Sequence, residues 1–116
     1  TVDATRAALQ AIEKKVILIA GGRDKESDFR FIKKEIEKKV RAAVLIGEAK
    51  EKIKDAICGC TDILKAKSMY EAVEIADRIA QKGECVLLSP MCASFDMFKD
   101  YKHRGEVFKR AVNRLK

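Results

Sequence analysis

Three short apolar runs, each stopped by glycine or by Ser-Pro, constrain this chain more than anything else in it. Val16-Ile17-Leu18-Ile19-Ala20 ends at Gly21-Gly22, Ala43-Val44-Leu45-Ile46 ends at Gly47, and Val86-Leu87-Leu88 ends at Ser89-Pro90. Unbroken runs of this kind suit parallel strands buried on both faces, whereas a half-exposed strand would alternate apolar with polar.

The stretches between the runs have helical spacing. Residues 3–13 place Ala4, Ala8, Ala11 and Ile12 on one side, with Asp3 available as an N-cap and Lys14-Lys15 suited to the negative end of the helix dipole. A second helix is predicted from near Asp28, presenting Phe29, Ile32 and Ile36. A third presents Ala49, Ile53, Ala56 and Ile57. Residues 61–66 read as a weaker strand near a sheet edge. Ser68 and Glu71 form a capping box that opens a helix carrying Ala72, Ile75, Ala76, Ile79 and Ala80, with Gly83 ending it. A strand over 85–88 and a last helix over 102–115, burying Val107, Phe108, Ala111, Val112 and Leu115, complete the chain. Such alternation specifies an α/β fold: a mainly parallel sheet with helices on both faces, joined by right-handed crossovers.

At 116 residues this is one domain, 1–116. The chain starts at Thr1 and the helical pattern begins at once, which reads as a piece cut from a longer protein. No apolar run approaches the roughly 18 residues of a membrane span, so no membrane partner is expected. Cys58, Cys60, Cys85 and Cys92 without secretory features suit reduced thiols in a cytoplasm. Their spacing matches no usual zinc pattern, and the only histidine, His103, lies in a charged helix; no metal is expected. The net charge of +7 permits nucleic-acid binding. Yet lysines alternate with glutamates along predicted helix faces, as in Lys33-Lys34-Glu35-Ile36-Glu37-Lys38-Lys39. That is the pattern of a solvated surface, and no nucleic-acid partner is expected.

Chemistry concentrates in two loops. Parallel strands end on one side of the sheet, so Gly21–Lys25 and Ser89–Tyr101 are expected to share an edge. Ligands bind at such places in open α/β sheets. Gly21 and Gly22 allow close backbone approach, and Lys25 offers a mobile ammonium. The Ser94 hydroxyl and the amides after it lie at a predicted helix N-terminus, which favours an anion. Phe95 and Tyr101 are placed to wall such a pocket. Together these groups suit a small dianion. The same residues also serve as a plain turn and a plain cap, and the chain contains neither a G-x-x-x-x-G-K-[ST] phosphate loop nor a G-x-G-x-x-G fingerprint. Read from the residues alone, it is a binding domain without complete catalytic machinery. A stand-alone module for a small anion or a protein partner stays open beside it.

The runs VILIAGGRDKESDF (Val16–Phe29) and VLLSPMCASFDMFKDYKHRGEVFK (Val86–Lys109), with VDATRAAL (Val2–Leu9), resemble the C-terminal domain of the Mur ligases, most closely the members that add D-glutamate. The resemblance implies a Rossmann-like domain of a three-domain enzyme of peptidoglycan precursor synthesis in the bacterial cytoplasm. The UDP-binding N-terminal and ATP-hydrolysing central domains would lie outside this chain. ATP and Mg2+, bound mainly by those domains, would activate the carboxylate of UDP-N-acetylmuramoyl-L-alanine for attack by the amine of D-glutamate. The fragment alone would hold no cofactor, be inactive and be a monomer. By residue, Lys25 matches a lysine that pairs with one D-glutamate carboxylate and Ser94 a serine that binds the other. Phe95 matches a position offering its backbone amide, and Tyr101 an aromatic lining position. Gly21, Gly22 and Ser89 support the site. The family's D-S-x-A-T stretch would precede Thr1, and Arg23-Asp24 has no assigned role.

Overall fold

The computed structural model describes residues 1–23, 27–92 and 97–115. Helix α1 (Val2–Ala11) leads into strand β1 (Val16–Gly21), then a 3-10 helix (Phe29–Ile32) runs into α2 (Lys33–Lys39). Strand β2 (Val40–Ile46), α3 (Lys50–Ile57), β3 (Asp62–Lys65), α4 (Met69–Ile79), β4 (Cys85–Leu88) and α5 (Tyr101–Arg114) follow. The four strands are ordered β3-β2-β1-β4 and every neighbouring pair is parallel, as the apolar runs predicted. β3 is an edge strand, also as expected.

The apolar runs serve two cores at once. Val16, Leu18 and Ala20 of β1 pack with Leu9, Phe29, Ile32, Ile36, Ile53 and Ile57 on one face of the sheet. Ile17 and Ile19 point the other way, to Met69, Ala72, Val73, Ala76 and Ala111 from α4 and α5. Helices therefore cover both faces. Each fully buried aliphatic side chain contributes about 1.5–3 kcal/mol relative to exposure.

One irregularity sets the phase of β2. Val16 pairs with Val40 but Ile17 pairs with Ala42, so Arg41 is an extra residue on β2. The bulge lets Val40 and Ala43, three apart, join the same core, where an unbroken strand would put them on opposite faces. It also aims the Arg41 guanidinium at the end of α4. There Nε and Nη2 donate to Glu84 Oε2 and Oε1 at 2.5 and 2.7 Å, and Nη2 donates to the Ile79 carbonyl at 2.5 Å. One cation thus satisfies an orphan carbonyl at a helix C-terminus and a nearly buried carboxylate.

Several local expectations change. In α1 the buried residues are Thr5 and Leu9, while Ala4 and Ala11 are exposed. Its N-cap is the Thr1 hydroxyl, accepting from the Ala4 amide at 3.0 Å, with Asp3 in the first turn instead. The helix stops at Ala11, and Lys15 reaches across to the Lys38 carbonyl at 2.8 Å rather than capping α1. The predicted second helix divides into the 3-10 segment and α2. Asp28 caps the former through the Arg30 amide at 3.0 Å. The Ser68 hydroxyl accepts from the Glu71 amide at 3.1 Å, but Glu71 accepts in return from the amide of Lys67 rather than Ser68. α4 ends with extended Ala80, so Gly83 (φ 88°) shapes the following turn and not the cap itself. Of the predicted α5 core, Ala111 is buried and Leu115 is exposed.

Two outcomes follow from this architecture. An alanine Cβ at position 21 would lie 1.9 Å from the Ile46 carbonyl oxygen, on a backbone with φ 130°. Gly21→Ala is therefore expected to destabilise the domain by at least about 2 kcal/mol, read as a lower melting temperature by circular dichroism. The Glu84 carboxyl is held below its usual pKa chiefly by the Arg41 hydrogen bonds and then by the Gln81 amide. A depressed carboxylate stabilises the fold above its unfolded-state pKa, and that contribution disappears as pH falls through the folded value. Melting temperature should thus drop as pH is taken below about 4.5, the ordinary value for this group, and Glu84→Gln should remove part of that acid dependence.

Candidate functional site

The sheet order creates the site. From β1 the chain steps outward through β2 to β3, then returns to place β4 on the other side of β1. The connections leaving β1 and β4 diverge, and a crevice opens between adjacent carboxyl ends. The two exits are joined directly: the Gly21 amide donates to the Pro90 carbonyl at 2.8 Å, and the Ser89 amide donates to the Ile19 carbonyl at 3.1 Å.

The β1 exit is fixed from the β2 side. Gly21 and Gly22 have φ of 130° and 139°, a region open to glycine. The Gly22 carbonyl accepts from the Ala49 amide at 2.8 Å, and Arg23 forks onto both Glu48 oxygens at 3.3 Å. Both side chains are about half exposed, so this pair contributes at most about 1 kcal/mol. Further along this connection, Arg30 clamps both Asp28 oxygens at 2.9 and 2.8 Å. The Arg30 side chain, followed by its amide, lowers the Asp28 pKa to about 2.

The β4 exit is held residue by residue. The Ser89 hydroxyl bonds the Thr5 hydroxyl of α1. Met91 adopts φ 66°, unusual for a residue with a side chain, and is buried in the core below β1. The Cys92 carbonyl accepts from Arg104 Nη1 of α5 at 2.8 Å. α5 itself is capped by Asp100, which accepts from the His103 amide at 2.8 Å. His103 Nδ1 accepts from the Lys99 amide at 3.1 Å, which leaves the proton of the neutral ring on Nε2.

Between the exits lies a cleft of about 520 Å3. It is lined by Thr1, Val2 and Asp3 at the start of α1, Ser27, Asp28 and Phe31 after β1, and Met91 and Cys92 after β4. Of the residues singled out from the sequence, Gly21 and Ser89 take part in the bonds that join the two exits and Gly22 in the bond to Ala49, and none of the three lines the cleft. Lys25, Ser94 and Phe95 lie outside the described residues. Lys25 is two positions from Ser27, and Ser94 is two from Cys92. Tyr101 stands at the first position of α5, 68% exposed, and does not line the cleft. Sequence reasoning missed Thr5, Met91, Arg104 and the exposed ring of Phe31. A threonine four residues before Leu9 on α1 was the available signal for the first. Among the described residues no cluster of three or more His, Cys, Asp or Glu forms a metal site, and no helix is long and apolar enough to cross a membrane.

The chain has extensive similarity to known proteins. A family model for the Mur ligase glutamate ligase domain matches residues 1–92. A UDP-N-acetylmuramoylalanine–D-glutamate ligase of Chloroherpeton thalassium is 48% identical over 115 residues, covering 99% of this chain and 25% of that protein. Ligases of the same name from Chlorobaculum tepidum and Caldanaerobacter subterraneus are 47% and 46% identical. They cover 99% and 98% of this chain and 25% and 26% of their own lengths. The chain thus spans about a quarter of the length of these relatives. On a family match over residues 1–92, which span all four strands and every residue that lines the cleft, this chain belongs to the Mur ligase family, as a glutamate ligase domain.

Proposed function

We propose that this chain is the amino-acid-binding C-terminal domain of a UDP-N-acetylmuramoylalanine–D-glutamate ligase acting in the bacterial cytoplasm. UDP-binding and ATP-hydrolysing domains would precede it in the whole protein. The observation that carries the reading is the hydrogen-bonded junction of the two exits, the Gly21 amide on the Pro90 carbonyl at 2.8 Å. It supports the reading because the two strand exits it joins are the ones from which the chain continues to Lys25 and to Ser94. In this reading Lys25 pairs with one carboxylate of D-glutamate. Ser94 and the Phe95 amide hold the other, and Tyr101 closes the side. Two carboxylates held in this way leave the amine directed outward, toward an activated carboxyl presented by the other domains.

ATP with Mg2+ supplies that activation. In this reading the other domains bind that group, and this chain contains no G-x-x-x-x-G-K-[ST] phosphate loop of its own. Its own contribution is to select, orient and deliver the amino acid, and its rigid-body position relative to the other domains governs turnover.

Amide-resolved NMR of this chain during titration with D-glutamate should show saturable shifts at Gly21–Lys25 and Ser89–Tyr101, weaker with L-glutamate. In the full-length ligase, Lys25→Ala and Ser94→Ala should each raise the KM for D-glutamate by a factor on the order of 10 or more, as expected for loss of a charge-assisted hydrogen bond. Unchanged KM values in both variants would remove these residues from the site and refute the reading.

A further inference from the structure

Thr5 is fully buried and is the one polar side chain in the core among the described residues. A buried threonine in a helix satisfies itself by donating to the carbonyl four residues back. Thr5 does so, from Oγ1 to the Thr1 carbonyl at 3.2 Å. Its single proton is then used, so its oxygen accepts from the Ser89 hydroxyl, giving a directed relay from Ser89 through Thr5 to the Thr1 carbonyl. Valine has the same shape and would fill this space, so packing alone does not account for a hydroxyl here.

The second partner stands where the β1–β4 ladder ends. The Ser89 amide makes a last bond to β1, the Pro90 carbonyl takes the Gly21 amide, and Met91 then turns through φ 66°. A left-handed residue with a side chain persists only where its surroundings over-determine it, and such strain concentrates at functional sites. The relay from Thr5 holds the chain just before Met91, and Arg104 on the Cys92 carbonyl holds it just after.

We propose that Thr5 is a positioning residue for the amino-acid site: through Ser89 it fixes the course on which the chain leaves β4 toward Ser94. The inference deepens the functional reading above and rests on it. Ser89, first singled out as support for the site, acts in this scheme through its side chain as well as its backbone.

The test is steady-state kinetics of the full-length ligase carrying Thr5→Val or Thr5→Ser. Thr5→Val should raise the KM for D-glutamate roughly three- to tenfold, the loss expected for one ordinary hydrogen bond. Its kcat and its KM values for ATP and the UDP-linked substrate should stay within about twofold of the parent's. Thr5→Ser, which keeps the hydroxyl, should restore the D-glutamate KM. A purely structural role would lower melting temperature and the active fraction, hence kcat, with the D-glutamate KM unmoved; that result overturns the proposal. Should Thr5→Val fail to accumulate, Ser89→Ala removes the other hydroxyl and carries the same expectation. Lys25→Ala in parallel separates the two claims. A raised KM there beside an unchanged one in the Thr5 and Ser89 variants overturns this inference alone, while an unchanged KM in Lys25→Ala overturns the functional reading and this inference with it.

Discussion

The carbonyl oxygen of Ile46 occupies the space where any other residue at position 21 would carry its first side-chain carbon. That contact decides how closely β1 and β2 run at their carboxyl ends, and the geometry of both exits depends on it. Because Gly21 can keep φ 130°, its amide turns away from β2 and reaches the Pro90 carbonyl of the β4 exit. The carbonyl of Gly22 turns back to the Ala49 amide just before α3. Two peptide groups, one on each side of the 21–22 peptide, thus tie the exit of the central strand to the segments after both neighbouring strands. A crevice between two strands is useful for recognition only if its walls hold a constant separation, and these two bonds set it.

The opposite end of the sheet is organised by charge. Arg41 reaches from the bulge in β2 to Glu84 just before β4, passing the end of α4. Because one partner is nearly buried and the other about one-third exposed, the pair is screened less than the surface pairs Arg23–Glu48 and Arg30–Asp28. Breaking it would leave a carboxylate with only the Gln81 amide for company. The sheet is therefore pinned by peptide groups at the site end and by an ion pair at the far end. Among the described residues the cleft lining carries two carboxylates, Asp3 and Asp28, and Asp28 is clamped by Arg30.

β1 and β2 were legible because burial on both faces leaves an apolar run. β4 matched its sequence range residue for residue, but its apolar run proved to be an edge strand without a fully buried residue, Val86 standing 37% exposed. The sheet's parallel sense and the meeting of the two exits followed from the alternation of elements. Face assignments on α1 failed for a physical reason: alanine is tolerated anywhere on a helix, so Ala4 and Ala11 carried little information about burial. A threonine reads as surface until its hydroxyl partner is known. That partner is 84 residues away in the chain, beyond any local pattern. The break between the 3-10 segment and α2 was invisible for a similar reason, since Phe29, Ile32 and Ile36 all pack into one core from either helix type. Tyr101 shows the limit of reading a site from spacing: the helix expected to open at Ser94 opens only at Tyr101, capped by Asp100, and the ring expected to wall the pocket is exposed.

A small dicarboxylate offers few atoms for contact, so useful affinity requires most of its surface to be buried, typically 70–90% or more for a pocket ligand. The cleft is lined from α1 and from the segments after β1 and β4, and one lining residue, Phe31, has its ring 69% exposed. A large exposed ring on an open crevice leaves apolar surface that a second wall would cover. Under the proposed reading that wall would come from the neighbouring domains, and the same closure would exclude water from the bond-forming centre. Half a site on a rigid, doubly pinned sheet edge suits such a role. Because the exits are pinned by their own hydrogen bonds, domain closure in the proposed ligase would need only to bring the second half into register, and amino-acid selection could then precede commitment of the activated substrate.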